Sequence, residues 1–187
     1  MNKAIFLDRD GTINVEKNYL YKIEDFEFLP GVVEGLKQLQ NAGYLLIIIT
    51  NQSGIARGYY TEENFFRLNN WMLRDLNNKG IRITHVYFCP HHPEATIERY
   101  KKDCNCRKPQ LGLFIQACLD YNIDLTQSYA IGDKLRDCSI SRCQIHKCYL
   151  IGDTEKKSIL EDVRLGKYER ICYAKDFISA VNDILHS

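Results

Sequence analysis

Apolar residues fall in short bounded blocks at residues 3–7, 44–49, 83–88, 129–131 and 148–151, with a weaker one at 170–173. Blocks this short, flanked by Gly, Asn, Asp and Ser, read as buried strands. Between them lie segments with helical period: residues 32–41 ending at Gly43, 62–78 ending at Gly80, 113–121 and 177–185. Strand and helix in alternation impose right-handed crossovers, which predicts a three-layer α/β/α, Rossmann-like fold on a mostly parallel sheet. With 187 residues, 45% of them hydrophobic, the chain can bury one sizeable core, so a single domain over residues 1–187 is expected.

In such a sheet the ligand crevice lies beyond the carboxyl ends of the strands. Those positions are polar here: Asp8-Arg9-Asp10-Gly11-Thr12 after the first block, Thr50-Asn51-Gln52-Ser53-Gly54 after the second, and Gly132-Asp133-Lys134 after the fourth. If the backbone leaves extended geometry at Gly11, Asp8 and Asp10 face one crevice, and Asp133 reaches it from another strand. Three oxygen-donor acids brought together call for a hard cation, which predicts Mg²⁺. A carboxylate attacking phosphorus splits a difficult hydrolysis into two easier steps, with the metal neutralising charge between anionic nucleophile and anionic substrate. Thr50, Asn51 and Ser53 with their loop amides are neutral phosphate donors, and Lys108 adds a positive charge. Alone, D-x-D-G is an ordinary turn and T-N-Q-S-G a polar loop. Their joint placement after successive strands favours phosphoryl chemistry.

The stretch CPHHPEATIERYKKDCNCRKP carries three cysteines and two adjacent histidines at metal-ligand spacing. Cys89, Cys104 and Cys106 with one imidazole make the closed, soft tetrahedral set of structural Zn²⁺, with no open position for water. The tight C-x-C of Cys104 and Cys106, without a secretory signal, favours thiols and a metal over disulfides. Cys118, Cys138, Cys143, Cys148 and Cys172 read as small buried residues.

The strings FLDRDGTIN, TNQSGIARG, CPHHP, DCNCRKP and GDK, in that order, resemble the D-glycero-D-manno-heptose 1,7-bisphosphate phosphatase family of the haloacid dehalogenase superfamily, which also contains histidinol-phosphate phosphatases. The resemblance implies the haloacid dehalogenase fold. Asp8 would be nucleophile and Mg²⁺ ligand, and Asp10 the general acid and then base. The Asp10 main-chain carbonyl and the Asp133 side chain would complete the protein's share of the Mg²⁺ shell. Thr50 and Lys108 would bind the transferring phosphoryl group and Arg107 would orient the substrate. Glu16, Lys17, Asn18, Tyr19, Asn51, Gln52, Ser53 and Lys134 would lie near it. The match favours His91 as the zinc ligand with Cys89, Cys104 and Cys106, so that a zinc loop over residues 89–106 clamps Arg107 and Lys108 at the crevice. His92 would then face substrate or solvent.

By the same resemblance the reaction is removal of the C7 phosphate, leaving heptose 1-phosphate for lipopolysaccharide or other surface-glycan precursors. The alternatives are a histidinol-phosphate phosphatase, a nucleic-acid 3′-phosphatase of the same fold, and an inactive zinc-stabilised binding module. The intact acids speak against the last. A net charge of +1 gives no general attraction to nucleic acid or to an anionic membrane. The start MNKAIFLDRD is too short and too charged for a signal-peptide core, so a cytoplasmic protein is expected. No long insertion follows Asp10, so no large cap domain is expected and the site should be open; a monomer acting on a small sugar bisphosphate is the simplest assembly. Two departures from the family touch packing: Leu111 in place of a common proline, and DCSISRCQIHKCYLIGD, which lacks the usual alanines and glycines. Tyr59, Tyr60, Phe65, Phe66 and Trp71 read as helix-start and core aromatics. Arg99, Lys101 and Lys102 read as a solvated face.

Overall fold

The computed structural model describes residues 1–186. Its six strands, β1 (Ala4–Leu7), β2 (Leu45–Asn51), β3 (His85–Cys89), β4 (Tyr129–Gly132), β5 (Lys147–Ile151) and β6 (Ile171–Ala174), form one sheet in the order β3-β2-β1-β4-β5-β6. Every pairing is parallel, so the expected mostly parallel sheet is wholly so. β1 and β4 are buried along their whole length, which is why they read as continuous apolar runs rather than alternating ones.

Alternate strand residues feed two cores. Ile5, Leu7, Ile48 and Ile131 pack against α1 (Val32–Asn41), α3 (Glu62–Asn78) and α6 (Phe177–Leu185). Phe6, Ile47, Ala130 and Cys148 pack against α4 (Gly112–Tyr121) and α5 (Lys157–Arg164) on the other face. The short α2 (Ser53–Ala56) joins a third cluster with Tyr60, Phe65, Ala95 and Tyr100 under the Cys/His loop.

Helices α1, α3 and α6 occupy the predicted segments. α3 starts where Thr61 and Asn64 cap each other reciprocally, satisfying two amides left open at a helix start. Phe65, Leu68, Met72 and Leu76 form its buried stripe, as their spacing requires. Tyr59 and Phe66 depart from the expected core: both are exposed, Tyr59 to 55%, because they fall outside that stripe. α5 has no counterpart in the sequence reading, since its inward face is carried by just two fully buried residues, Leu160 and Val163, amid charge. The divergent string that begins at Asp137 starts within a 3₁₀ stretch, Leu135–Arg142, which buries Cys138 and Ile140 against the sheet, and runs on into β5. Of the scattered cysteines Cys138 and Cys148 are fully buried, and Cys118, Cys143 and Cys172 partly so. Among the described residues no helix is long and apolar enough to cross a membrane.

Strand order reverses between β1 and β4, one neighbour leading towards β2 and β3 and the other towards β5 and β6. That switch point opens a crevice past the strand ends where Asp8 and Asp133 emerge.

Candidate active site

Leu7 pairs with Ile131, so the residues that follow leave the sheet side by side. The Asp8 amide donates to Ile131 O at 3.1 Å, holding the turn against β4. Gly11 then takes φ +87°, and a Cβ there would sit 2.6 Å from an Asp133 carboxylate oxygen. Only glycine supplies both the left-handed backbone and the space for two acidic strand ends to meet.

Asp8, Asp133 and Asp137 are all buried, and one carboxylate oxygen from each lies within 4.8 Å of the others. Lys108, 2% exposed, enters this group from the end of the Cys/His loop. Its Nζ donates to Asp8 Oδ1 at 2.6 Å and Ile49 O at 2.6 Å, and lies 2.8 Å from Asp137 Oδ1. Three acceptors match the three hydrogens of an ammonium. One cation among three carboxylates still leaves excess negative charge in a dry pocket. Burial, only partly offset by Lys108 and reinforced by Asp137 and Asp133, pushes Asp8 up to about 8. Burial and Asp137 push Asp133 up to about 6. Asp133 Oδ1 is buried without a hydrogen-bond partner, while Thr154 Oγ1 lies 2.9 Å from Oδ2. An orphaned carboxylate oxygen, surplus negative charge and an all-oxygen donor set fit a small divalent cation such as Mg²⁺.

Asp10 is held differently. Arg9, 1% exposed, reaches both of its oxygens through Nη2, at 3.0 and 2.9 Å. Asn14 Nδ2 donates to Oδ1 at 3.0 Å and Gln52 Nε2 to Oδ2 at 2.9 Å. The Tyr60 hydroxyl donates to Gln52 Oε1 at 2.5 Å, fixing the amide orientation, and the Arg9 guanidinium lies over the Phe65 ring. A buried arginine needs this pairing, since an uncompensated charge there would cost several kcal/mol.

Asp8, Asp10, Glu16, Asn18, Tyr19, Thr50, Asn51, Gln52, Ser53, Arg107 and Lys134 line one cavity of about 440 Å³. Lys108 sits behind Asp8, and Lys17 is directed away, its Nζ 3.5 Å from Glu27. Asn51 does not point its amide at the cavity alone: it clamps the Lys108 main chain with two bonds of 3.0 Å. Burial, then Asp10, raises the Glu16 carboxyl above its ordinary value. Arg57, Tyr60 and Arg136 also line the cavity without having been singled out from the sequence as site residues, and His92, left between substrate and solvent by the sequence, lines it too. Arg57 stands inside the TNQSGIARG string, and its basic side chain one turn past a phosphate-type loop was the available signal. Arg9, Asn14 and Asp137 lay within or beside recognised strings, but their partners are set by long-range packing.

Cys89, His91, Cys104 and Cys106 converge in the Cys/His loop. Their ligand atoms all lie within 4.8 Å, with Sγ–Sγ separations of 3.1, 3.2 and 3.5 Å and His91 Nδ1 3.3 Å from Cys106 Sγ. Burial pushes the Cys89 thiol well up, and burial with Lys102 lowers His91, favouring its neutral, ligating form. A thiolate at Cys89 therefore needs a cation beside it, and the three-sulfur, one-nitrogen set fits a closed tetrahedral metal site. His92 stands outside this set.

Residues 3–154 match the sequence profile described as Polynucleotide kinase 3 phosphatase. The chain is 52% identical over 134 residues, 72% of its length and 71% of the relative's, to a D-glycero-beta-D-manno-heptose-1,7-bisphosphate 7-phosphatase of Photorhabdus laumondii. It is 45% identical over 167 residues, 89% of its length and 84% of the relative's, to the enzyme of that name in Haemophilus influenzae. The D,D-heptose 1,7-bisphosphate phosphatase of B. bronchiseptica, solved with magnesium and phosphate, superposes with a TM-score of 0.81 at 27% identity, covering 98% of each chain. Profile, relatives and fold agree with the acidic strand ends and the Cys/His loop: the chain belongs to the heptose-1,7-bisphosphate 7-phosphatase family of haloacid dehalogenase phosphatases, and it is a phosphatase.

Proposed function

We propose that the chain hydrolyses the C7 phosphate of D-glycero-D-manno-heptose 1,7-bisphosphate to heptose 1-phosphate and inorganic phosphate. The observation that carries the reading is the convergence of Asp8, Asp133, Asp137 and Lys108 in one buried group opening onto a cavity lined with cations. Its relatives' substrate supports the choice of sugar. A polynucleotide substrate is not favoured, because the net charge is +1 and nucleic-acid affinity rests on neutralising many phosphates.

Asp8 attacks phosphorus while the bond from phosphorus to the C7 oxygen breaks, giving an aspartyl-phosphate. Asp10 gives the departing alkoxide its proton. Water then attacks phosphorus, Asp10 takes a proton from it, and the bond to Asp8 breaks to release phosphate. Asp8, Asp133 and the Asp10 carbonyl would hold Mg²⁺, whose positive charge would lower the repulsion between nucleophile and phosphate. Lys108 fixes one Asp8 oxygen and balances charge throughout, with Asp137 as its second anchor. The donors around Asp10 hold it in place beside the cavity without a bulky cap. Thr50 and the Ser53 region offer neutral donors to the phosphoryl oxygens.

The test is Mg²⁺-dependent phosphate release on heptose 1,7-bisphosphate, both anomers, alongside histidinol phosphate. Clear preference for a heptose bisphosphate is expected; equal or better turnover of histidinol phosphate would move the enzyme to a different pathway.

The Cys/His group is assigned to structural Zn²⁺. Because Asn51 anchors Lys108 independently of the loop, stripping zinc should spare the nucleophile and loosen the wall that carries Arg107. KM for the bisphosphate should rise on the order of tenfold, with turnover of a small aryl phosphate nearly unchanged. Unaltered KM in a folded, zinc-free protein, checked by metal analysis, would remove the positional role.

A further inference from the structure

Asp133 is held from outside the acidic group, by the loop that follows β5. Gly132 pairs with Leu150, so the turn after β4 and the loop after β5 leave the sheet side by side. The Gly152 amide donates to Ala174 O at 3.2 Å, and a φ of +67° at Gly152 redirects the chain as it leaves β5. Asp153 is drawn outward, its Oδ1 3.2 Å from Arg164 Nη2 and 3.1 Å from the Tyr173 hydroxyl. Thr154 and Glu155 then meet residues 133–135.

Hydrogen bonds run both ways between the two segments. Thr154 Oγ1 donates to the Asp133 main-chain O at 2.8 Å and to its Oδ2 at 2.9 Å. One hydroxyl hydrogen shared between them locks the carboxylate against its own main chain. Lys134 Nζ returns a bond to Thr154 O at 2.6 Å, and the Leu135 amide donates to Glu155 Oε2 at 2.8 Å. The two oxygens of Asp133 are therefore unlike. Oδ2 has the Thr154 hydroxyl and, at 3.7 Å, the Lys134 ammonium, whereas Oδ1 is buried with no hydrogen-bond partner. Packing leaves the loop room to move, because Thr154 also borders a second cavity of about 410 Å³ shared with Leu29, Ile151 and Phe177. The hydrogen bonds keep it on Asp133.

We propose that Thr154 is a positioning residue for Asp133: its hydroxyl occupies Oδ2 and leaves Oδ1 free for the catalytic cation, while Glu155 holds the loop in place. The inference rests on the Mg²⁺ reading above and adds to it the groups that set the affinity for the ion. A ligand whose orientation is fixed beforehand loses less freedom when the ion arrives, and outer partners of this kind are worth about 10–100-fold in metal affinity. Asp8 has such a partner in Lys108, so each of these two carboxylates is oriented by a group of its own. Thr154 and Glu155 lie past the last recognised string, GDK, so nothing local in the sequence marked them.

The experiment measures Mg²⁺ binding by isothermal titration calorimetry, without substrate, on the wild type, Thr154→Val, Thr154→Ser and Glu155→Ala. Melting of each metal-free protein is followed by circular dichroism. Thr154→Val keeps the volume, removes the hydroxyl and should weaken Mg²⁺ binding about tenfold. Thr154→Ser keeps the hydroxyl and should bind as the wild type does. Glu155→Ala leaves Thr154 in place but frees the loop, and should weaken binding about threefold. The phosphatase rate of Thr154→Val should fall most at low Mg²⁺ and recover as the ion saturates. A role in folding alone would lower the metal-free melting temperature and leave the Mg²⁺ affinity where it was. That result, or a Thr154→Ser as weak as Thr154→Val, overturns the inference. If Thr154→Val does not fold, Glu155→Ala decides, and wild-type affinity there overturns it. A wild type that binds no Mg²⁺ overturns the metal assignment and the inference with it.

Discussion

Asp8→Asn is expected to abolish phosphate release, by at least about 10⁴-fold in kcat, because an amide is too weak a nucleophile to form the aspartyl-phosphate. The same substitution should stabilise the metal-free protein above neutral pH. Asp8 is held at about 8 against an ordinary value of 3.8, chiefly by burial, so the folded chain keeps a proton that the unfolded chain releases. Stability linked to that proton is fully present below about pH 4 and is lost as pH rises through about 8. Asparagine never ionises and so escapes the loss. The melting temperature of the metal-free variant should exceed that of wild type at pH 8 and approach it at pH 5. At this chain length each kcal/mol corresponds to about 2–4 °C. Adding Mg²⁺ should raise wild type far more than the variant. A metal-free variant that melts below wild type at pH 8 would show that the Lys108 contact outweighs the cost of burying the Asp8 charge.

Lys108→Met removes the cation from the same group at nearly constant volume. Lys108 is buried, and although burial alone would lower it, Asp137 and Asp8 hold it above its ordinary range, so it is charged throughout the working pH range. Its loss leaves three carboxylates facing one another, and breaking a buried pair in this way costs about 3–5 kcal/mol. Activity should fall by about 10³-fold, since positive charge is missing where phosphorus is attacked. Urea unfolding with and without Mg²⁺ reads the first effect, and single-turnover kinetics the second. Saturating Mg²⁺ should restore part of the stability and little of the rate. Near-wild-type turnover in this variant would sink the assignment of Lys108 to the phosphoryl site.

Lys108 also shows how differently the site's parts could be read. That it belongs at the crevice follows from its place two residues after Cys106, in a run ending at Pro109. That Asp137 is its second partner, and that Asn51 holds its main chain from 57 residues away, could not be read locally. Gln52 was placed near the substrate; it lines the cavity, and its amide also bridges Asp10 and Thr50. Lys17 was placed near the substrate with its neighbours, but its side chain runs to Glu27.

By itself the sequence determined what local pattern controls. Short apolar blocks and helical periods specified the strands and most helices, Gly11 allowed the turn that gathers the acids, and the Cys/His spacing marked a set of side chains able to hold a metal. Each depends on residues a few positions apart, whose geometry the backbone dictates. The tertiary structure decided the rest: the strand order that sets Asp8 beside Asp133, the burial of Arg9 against Asp10, and the meeting of Arg57 with His92. Arginine, lysine and aspartate are ordinarily solvated, so their sequence positions carry no signal of burial. Only when the sheet closes and water leaves does each charge have to find its partner, and those partners lie far away along the chain.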